Sequence, residues 1–160
     1  MSVEHDRTDR EPLSVCVLAK MIYPPRVRDQ QQDMTTYARL RPWARRVYLI
    51  VSSPNARARV THDGNVVGLH IRYHGNPLVG IPRFWLRGFA IASSLLRRRR
   101  IDLLMAAEPL VAGPLALLLR RLYRTPLLVH IQGDLFHLPR RLFSGVRIAL
   151  TRWIPVQVDR

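Results

Sequence analysis

The stretch Ile101-Asp-Leu-Leu-Met-Ala-Ala-Glu-Pro-Leu-Val-Ala-Gly-Pro-Leu-Ala-Leu-Leu-Leu-Arg-Arg-Leu-Tyr-Arg-Thr-Pro-Leu-Leu-Val-His-Ile131 decides the fold class. Ile101 to Ala107 is apolar except for Asp102, which suits a buried strand. Val111 to Leu122 is almost wholly apolar and of helical length, and Pro126 to Ile131 returns to a short apolar, strand-like run. Strand, helix and strand within about 30 residues make a βαβ unit, which closes a parallel pair of strands. Continuous apolar runs, in place of alternation, mean strands covered on both faces.

The same pattern extends outward in both directions. Towards the amino terminus, Trp85, Phe89, Ala92 and Leu96 recur at helical spacing as a core-facing stripe, ending in Arg97-Arg98-Arg99-Arg100. The Gly/Pro-rich segment His74 to Pro82 reads as a loop before that helix. Asp63-Gly64-Asn65 is a turn signal between Val60 and Val66, and Val66 to Tyr73 follows as a third strand. Val47 to Ser52 is the second strand and Leu13 to Ala19 the first. Between them, Tyr23-Pro24-Pro25 forbids a helix, Asp29 can cap one, and Pro42 stops it after Met34, Tyr37 and Ala38. Towards the carboxyl terminus, Leu142, Val146, Ala149, Leu150 and Trp153 form a last helical stripe, opposed by Arg140, Arg141, Arg147 and Arg152. Pro155 to Asp159 reads as the start of a sixth strand. The expectation is an α/β domain, a parallel sheet with helices on both faces.

Composition narrows the function classes. The chain has 160 residues, a net charge of +15 and 48% hydrophobic residues, too apolar for a disordered basic tail. Lys20 is the lone lysine among 26 basic residues, so the charge is almost all arginine. Cys16 is the single cysteine, which excludes an intrachain disulfide and a cysteine-based zinc site. The polar leader, residues 1–12, has no apolar core and is not a secretory signal. Asp102, Glu108, Pro109 and Pro114 interrupt the most apolar window, so it does not read as a membrane span. A cytoplasmic protein is expected, with basic helices able to rest on an anionic membrane surface at its inner face. A nucleic-acid-binding module is the alternative that the charge suggests. Against it, the arginines are spread over every helix, aromatics make up 8%, and no helix-turn-helix, RNP or KH signature is present.

In an open α/β sheet the ligand lies beyond the carboxyl ends of the strands. That rule selects three loops: Lys20 to Asp29, Glu108-Pro109, and Gln132-Gly133-Asp134-Leu135-Phe136. These stretches also carry a family likeness. Tyr23-Pro24-Pro25-Arg26-Val27-Arg28, a helix, and then Arg46-Val47-Tyr48-Leu49-Ile50-Val51 resemble the start of family 4 glycosyltransferases. Arg97 to Leu104, Glu108 to Gly113, and Pro126 to Asp134 are similar to that family's fourth strand, following helix, and fifth strand with its His-Gly loop.

The resemblance implies one half of a GT-B architecture, a Rossmann-like domain that faces a second domain across the active-site cleft. Residues 13–160 correspond to the acceptor-side, N-terminal domain, with the C-terminal nucleotide-sugar-binding domain absent and the pattern cut off within the sixth strand. An interrupted gene, or a separate donor-binding chain as partner, would account for that. The implied reaction is metal-free transfer, with retention, from a nucleotide-sugar donor to a glycan or lipid-linked acceptor. This chain alone is expected to bind no cofactor and to be inactive.

The implied acceptor-binding residues are Tyr23, Arg26, Arg28, Glu108, Gln132 and Gly133, and the candidate catalytic residues are His130 and Asp134. Two departures from the family stand out. Arg28-Asp29-Gln30-Gln31 replaces a glycine pair, which removes a close-approach phosphate cradle, although Arg26 and Arg28 can still pair with anions. Gln132 replaces the family histidine, and an amide cannot relay a proton near neutral pH; His130 lies two residues earlier on the same strand face. Plain structural roles are also open to these residues: Asp134 as a cap, His130 as a core histidine, the arginine run as a solvated helix end, and Cys16 as a small buried apolar group.

Overall fold

The computed structural model describes residues 12–19, 37–40, 42–53, 60–72, 76–107 and 109–130. Within them, six strands form one sheet: β1 (Leu13–Leu18), β2 (Ala44–Ser53), β3 (Val60–Asp63), β4 (Val66–Arg72), β5 (Leu103–Ala106) and β6 (Leu127–Val129). Two helices are described, α1 (Pro77–Arg97) and α2 (Ala112–Tyr123). The spatial order is β3-β4-β2-β1-β5-β6. Every pairing is parallel except β3 with β4. Setting β3 aside, the parallel strands run third, second, first, fourth, fifth, the Rossmann-like order that reverses direction at β1.

The strands alternate between two cores. Cys16, Leu18, Tyr48, Ile50, Ile71, Leu104 and Ala106 meet α1 and α2 on one face. Val15, Val17, Ala19, Val47, Leu49, Val51 and Val66 form the other, where Tyr37, Ala38 and Leu40 pack. Tyr37 and Ala38 are helical, on the expected β1-to-β2 crossover. The physical reason for the division is chain direction. A right-handed crossover that moves one way across the sheet lies on one face, and reversing the direction at β1 moves the later helices to the other.

The expected β3–β4 turn forms a hairpin. Gly64 has φ 57, the positive value required of a first central residue in a two-residue turn. Asp63 pairs with Val66 across it, and the Asn65 amide donates to the Ala44 carbonyl at 2.9 Å. β3 had not been separated from the turn by sequence reading. It makes the edge antiparallel, because a hairpin returns the chain without a helix.

Helix α1 departs most from expectation. It begins at Pro77, inside the segment read as a loop. Asn76 caps it, its Oδ1 accepting from the Leu78 N–H at 2.9 Å, with Pro77 in the first turn, where no amide is needed. Pro82 lies one turn further in, on the exposed side, and so removes one bond without ending the helix. The buried stripe is shifted accordingly. Phe84 is fully buried, whereas Trp85, expected in the core, is 39% exposed. The Trp85 indole N–H instead donates to the Val111 carbonyl at 2.8 Å, tying α1 to the start of α2. An indole needs such a partner and Phe84 does not, which favours phenylalanine in the dry position.

The end of α1 is closed by backbone bonds, from the Arg99 N–H to the Leu96 carbonyl at 2.9 Å and from the Arg100 N–H to the Leu95 carbonyl at 3.2 Å. This is a Schellman motif with Arg99, φ 48, in the left-handed position that usually holds glycine. Gly88 lies where α1 meets α2. A Cβ there would be 3.1 Å from Leu115 Cδ2, 3.8 Å from Ile71 Cδ1 and 3.9 Å from Ile50 Cγ2.

Two predictions follow from this packing. Gly88→Val is expected to lower stability by about 1–3 kcal/mol, read from a denaturant melt, because the added methyls must displace buried Leu115. Cys16 is wholly buried, which pushes its thiol up to about 12. A thiol reagent at pH 8 should leave it untouched in the native protein and label it at once in denaturant; fast native labelling would contradict this burial.

Candidate functional site

Each parallel strand hands over to a loop at its carboxyl end, and the sheet brings three of these ends together. The Ala19 N–H donates to the Ile50 carbonyl at 2.9 Å, the Ala107 N–H to the Leu18 carbonyl at 2.9 Å, and the His130 N–H to the Ala106 carbonyl at 2.8 Å. Ala19, Ala107 and His130 are therefore the last ladder-bonded residues of β1, β5 and β6, side by side across the point where strand order reverses. Neighbouring strands are about 4.8 Å apart, so the three loops leave within about 10 Å of one another. The described residues at this edge include the small, buried Ala19, Ala106 and Ala107.

Of the sequence-selected residues, His130 lies within the described part of the chain. Tyr23, Arg26, Arg28, Glu108, Gln132, Gly133 and Asp134 lie outside the described residues, as do the leader 1–11, the last helical stripe and the sixth strand. Pro109, beside Glu108, is buried. His130 is half-buried, one residue beyond β6. Period-two continuation of that strand puts it on the face of Leu128, away from α1 and α2. Its Nδ1 is buried and meets no hydrogen-bond partner among the described residues. A buried ring nitrogen left open is costly in a finished core and useful next to a ligand hydroxyl.

The neighbouring strands contribute polar groups that sequence reading missed. Ser52 and Ser53 are buried at the carboxyl end of β2, 4% and 2% exposed, where a core strand would carry apolar side chains. His70, near the end of β4, lies on the same face as Val66 and Gly68. Its Nε2 is 2.8 Å from Thr61 Oγ1, and its Nδ1 is buried without a partner among the described residues. The signal was present: polar residues replace apolar ones in the last positions of β2 and β4, at the end of the sheet where ligands bind. Among the described residues no group of three or more histidine, cysteine, aspartate or glutamate side chains could hold a metal ion.

Burial lowers the His70 pKa below its ordinary 6.5. The unfolded chain therefore takes up this proton before the folded one, so the associated stability is present above about 6.5 and is lost as the pH falls below it. Urea melts at several values between pH 7.5 and about 5 should show stability falling with pH, and His70→Gln should flatten that fall. An unchanged slope in the variant would assign the loss to other groups.

No protein-family model matches this chain, and no curated protein matches it either.

Proposed function

We propose that this domain is the acceptor-side half of a retaining glycosyltransferase, holding a glycan or lipid-linked acceptor while a second domain or chain presents a nucleotide-sugar. The observation that carries the reading is the convergence of the β1, β5 and β6 carboxyl ends at the strand-order reversal. The three loops chosen from sequence for their chemistry start there. In this reading His130, with its open Nδ1, accepts a hydrogen bond from an acceptor hydroxyl. Gln132 and Asp134, two and four residues further along, supply an amide and a carboxylate, groups that suit sugar hydroxyls. Tyr23, Arg26, Arg28, Glu108 and Gly133 complete the acceptor contacts, the arginines suiting a phosphate-bearing acceptor.

The resemblance to family 4 glycosyltransferases supports the assignment of roles, and the Rossmann-like order is the topology that such a domain requires. No described helix is long and apolar enough to cross a membrane. A lipid-linked acceptor would then be met at the membrane surface, where arginine-rich helices gain from anionic lipid.

An NMR titration of the full chain tests this. Oligosaccharides and a polyprenyl-diphosphate-linked sugar are the acceptor probes; UDP-glucose and GDP-mannose are the donor probes. The acceptor probes should shift the amide signals of Ala19, Ala107 and His130, and His130→Ala should weaken that binding by roughly tenfold, the worth of one hydrogen bond to a buried group. The donor probes should leave these signals in place. Donor binding at these amides, without a second domain, would overturn the acceptor-side assignment.

A further inference from the structure

The opposite end of the sheet holds a second feature, independent of the strand carboxyl ends. A cleft of about 330 Å³ is lined by Ser14, Arg45, Arg46, Tyr48, Arg99 and Arg100. Ser14, Arg45 and Arg46 come from the amino ends of β1 and β2, Arg99 and Arg100 from the turn leading into β5, and Tyr48 from the middle of β2. We propose that this cleft is a binding site for a phosphate-bearing anion of about diphosphate size.

Four arginines line one cleft, so their charges repel one another, and no carboxylate forms an ion pair with them among the described residues. Asp102, which touches the cleft residue Ser14, is already engaged. Its Oδ2 accepts from the Ser14 N–H at 2.7 Å, and its own N–H donates to the Ser14 carbonyl at 2.8 Å. That reciprocal pair fixes the amino end of β1 against the lead-in to β5. Arg45 Nη2 reaches the Ser14 hydroxyl at 3.5 Å, a long contact that leaves most of its donors open.

The cleft is also pre-shaped. Arg99 and Arg100 belong to the Schellman closure of α1, so their backbone is held by two hydrogen bonds. Arg45 and Arg46 are on the β2 ladder, with Arg46 paired to Ser14. A planar guanidinium matches phosphate oxygens two at a time, and four of them on fixed backbone suit an anion with several such oxygens. The left-handed φ of 48 at Arg99 disfavours any residue with a Cβ, and glycine would relieve it, so replacing Arg99 by glycine removes the side chain without straining the fold. Helix termini favour cations at this end, which accounts for Arg97 to Arg100 in general but not for Arg45 and Arg46 facing them from the sheet.

The same chemistry could come from a soluble diphosphate or from a phospholipid headgroup, and the experiment separates the two. Isothermal titration of the full chain with inorganic pyrophosphate, at about 0.15 M ionic strength, should show saturable binding. The Arg46→Ser/Arg100→Ser pair should weaken it by tenfold or more, roughly the worth of a charged hydrogen bond. Arg99→Gly should weaken it while holding or raising the melting temperature, which separates lost contact from lost fold. Arg83→Ser/Arg87→Ser removes equal charge from α1, with Arg87 about 18 Å along the helix from Arg99, and should change binding less than twofold.

Absence of saturable binding, or an equal loss in both double variants, would overturn the site in favour of diffuse attraction to a +15 protein. Vesicles containing phosphatidic acid complete the test. Vesicle binding that pyrophosphate competes away, and that needs Arg46 and Arg100, identifies a lipid headgroup as the source. Pyrophosphate binding without it identifies a soluble anion. Because this cleft and the strand carboxyl ends use different residues, either reading can fail without the other.

Discussion

Strand β1 is the constraint on which the rest of the fold depends. From Ser14 to Leu18 it is buried on both faces, and both of its edges are hydrogen-bonded, to β2 on one side and β5 on the other. A strand in that position cannot slip by one residue without exchanging Cys16 and Leu18 for Val15 and Val17 between two differently shaped cores. Its register is further set at its first turn by the reciprocal Ser14–Asp102 pair. The strand-order reversal, the division of the helices between faces and the meeting of the β1, β5 and β6 ends all follow from its central place.

The two ends of the sheet differ in chemistry as a consequence. At the carboxyl ends, small residues and buried polar groups occur together: Ala19, Ala106, Ala107, Ser52, Ser53, His70 and His130. At the amino ends, arginines from β2 and from the α1 closure face one another across a cleft. The basic composition is thus not evenly expressed: part of it coats α1 and α2, and part is gathered into one opening.

Much of the fold was legible in residue patterns. The apolar runs at Leu13, Val47, Val66, Ile101 and Pro126 each correspond to a strand, and the run from Val111 to a helix. The runs at Leu13 and Val47 were the most readable, because a strand buried on both faces must be largely apolar. The errors arose where two local signals competed. Pro82 suggested a loop, but Asn76 and Pro77 make a good helix start, and a proline on the exposed side of a long helix costs it one bond. Trp85 and Phe84 are adjacent aromatics, and periodicity cannot choose between them; the Val111 carbonyl does, by giving the indole a partner. Of the candidate site, the sequence indicated the loops through the rule for strand ends and singled out His130, but it missed His70 and the two serines. Their roles depend on being buried in the last positions of strands whose lengths were not known.

The succession of the parallel strands and the class of the sheet were determined by sequence alone, because they depend on local periodicity and on general rules of crossover connection. Which strands are neighbours, which aromatic is dry, and which arginines share a cleft were decided only by the tertiary structure. Arg46 and Arg99 are 53 positions apart in the sequence, and no local pattern links them. They meet because β1 lies between β2 and β5 and its amino end brings the starts of both together.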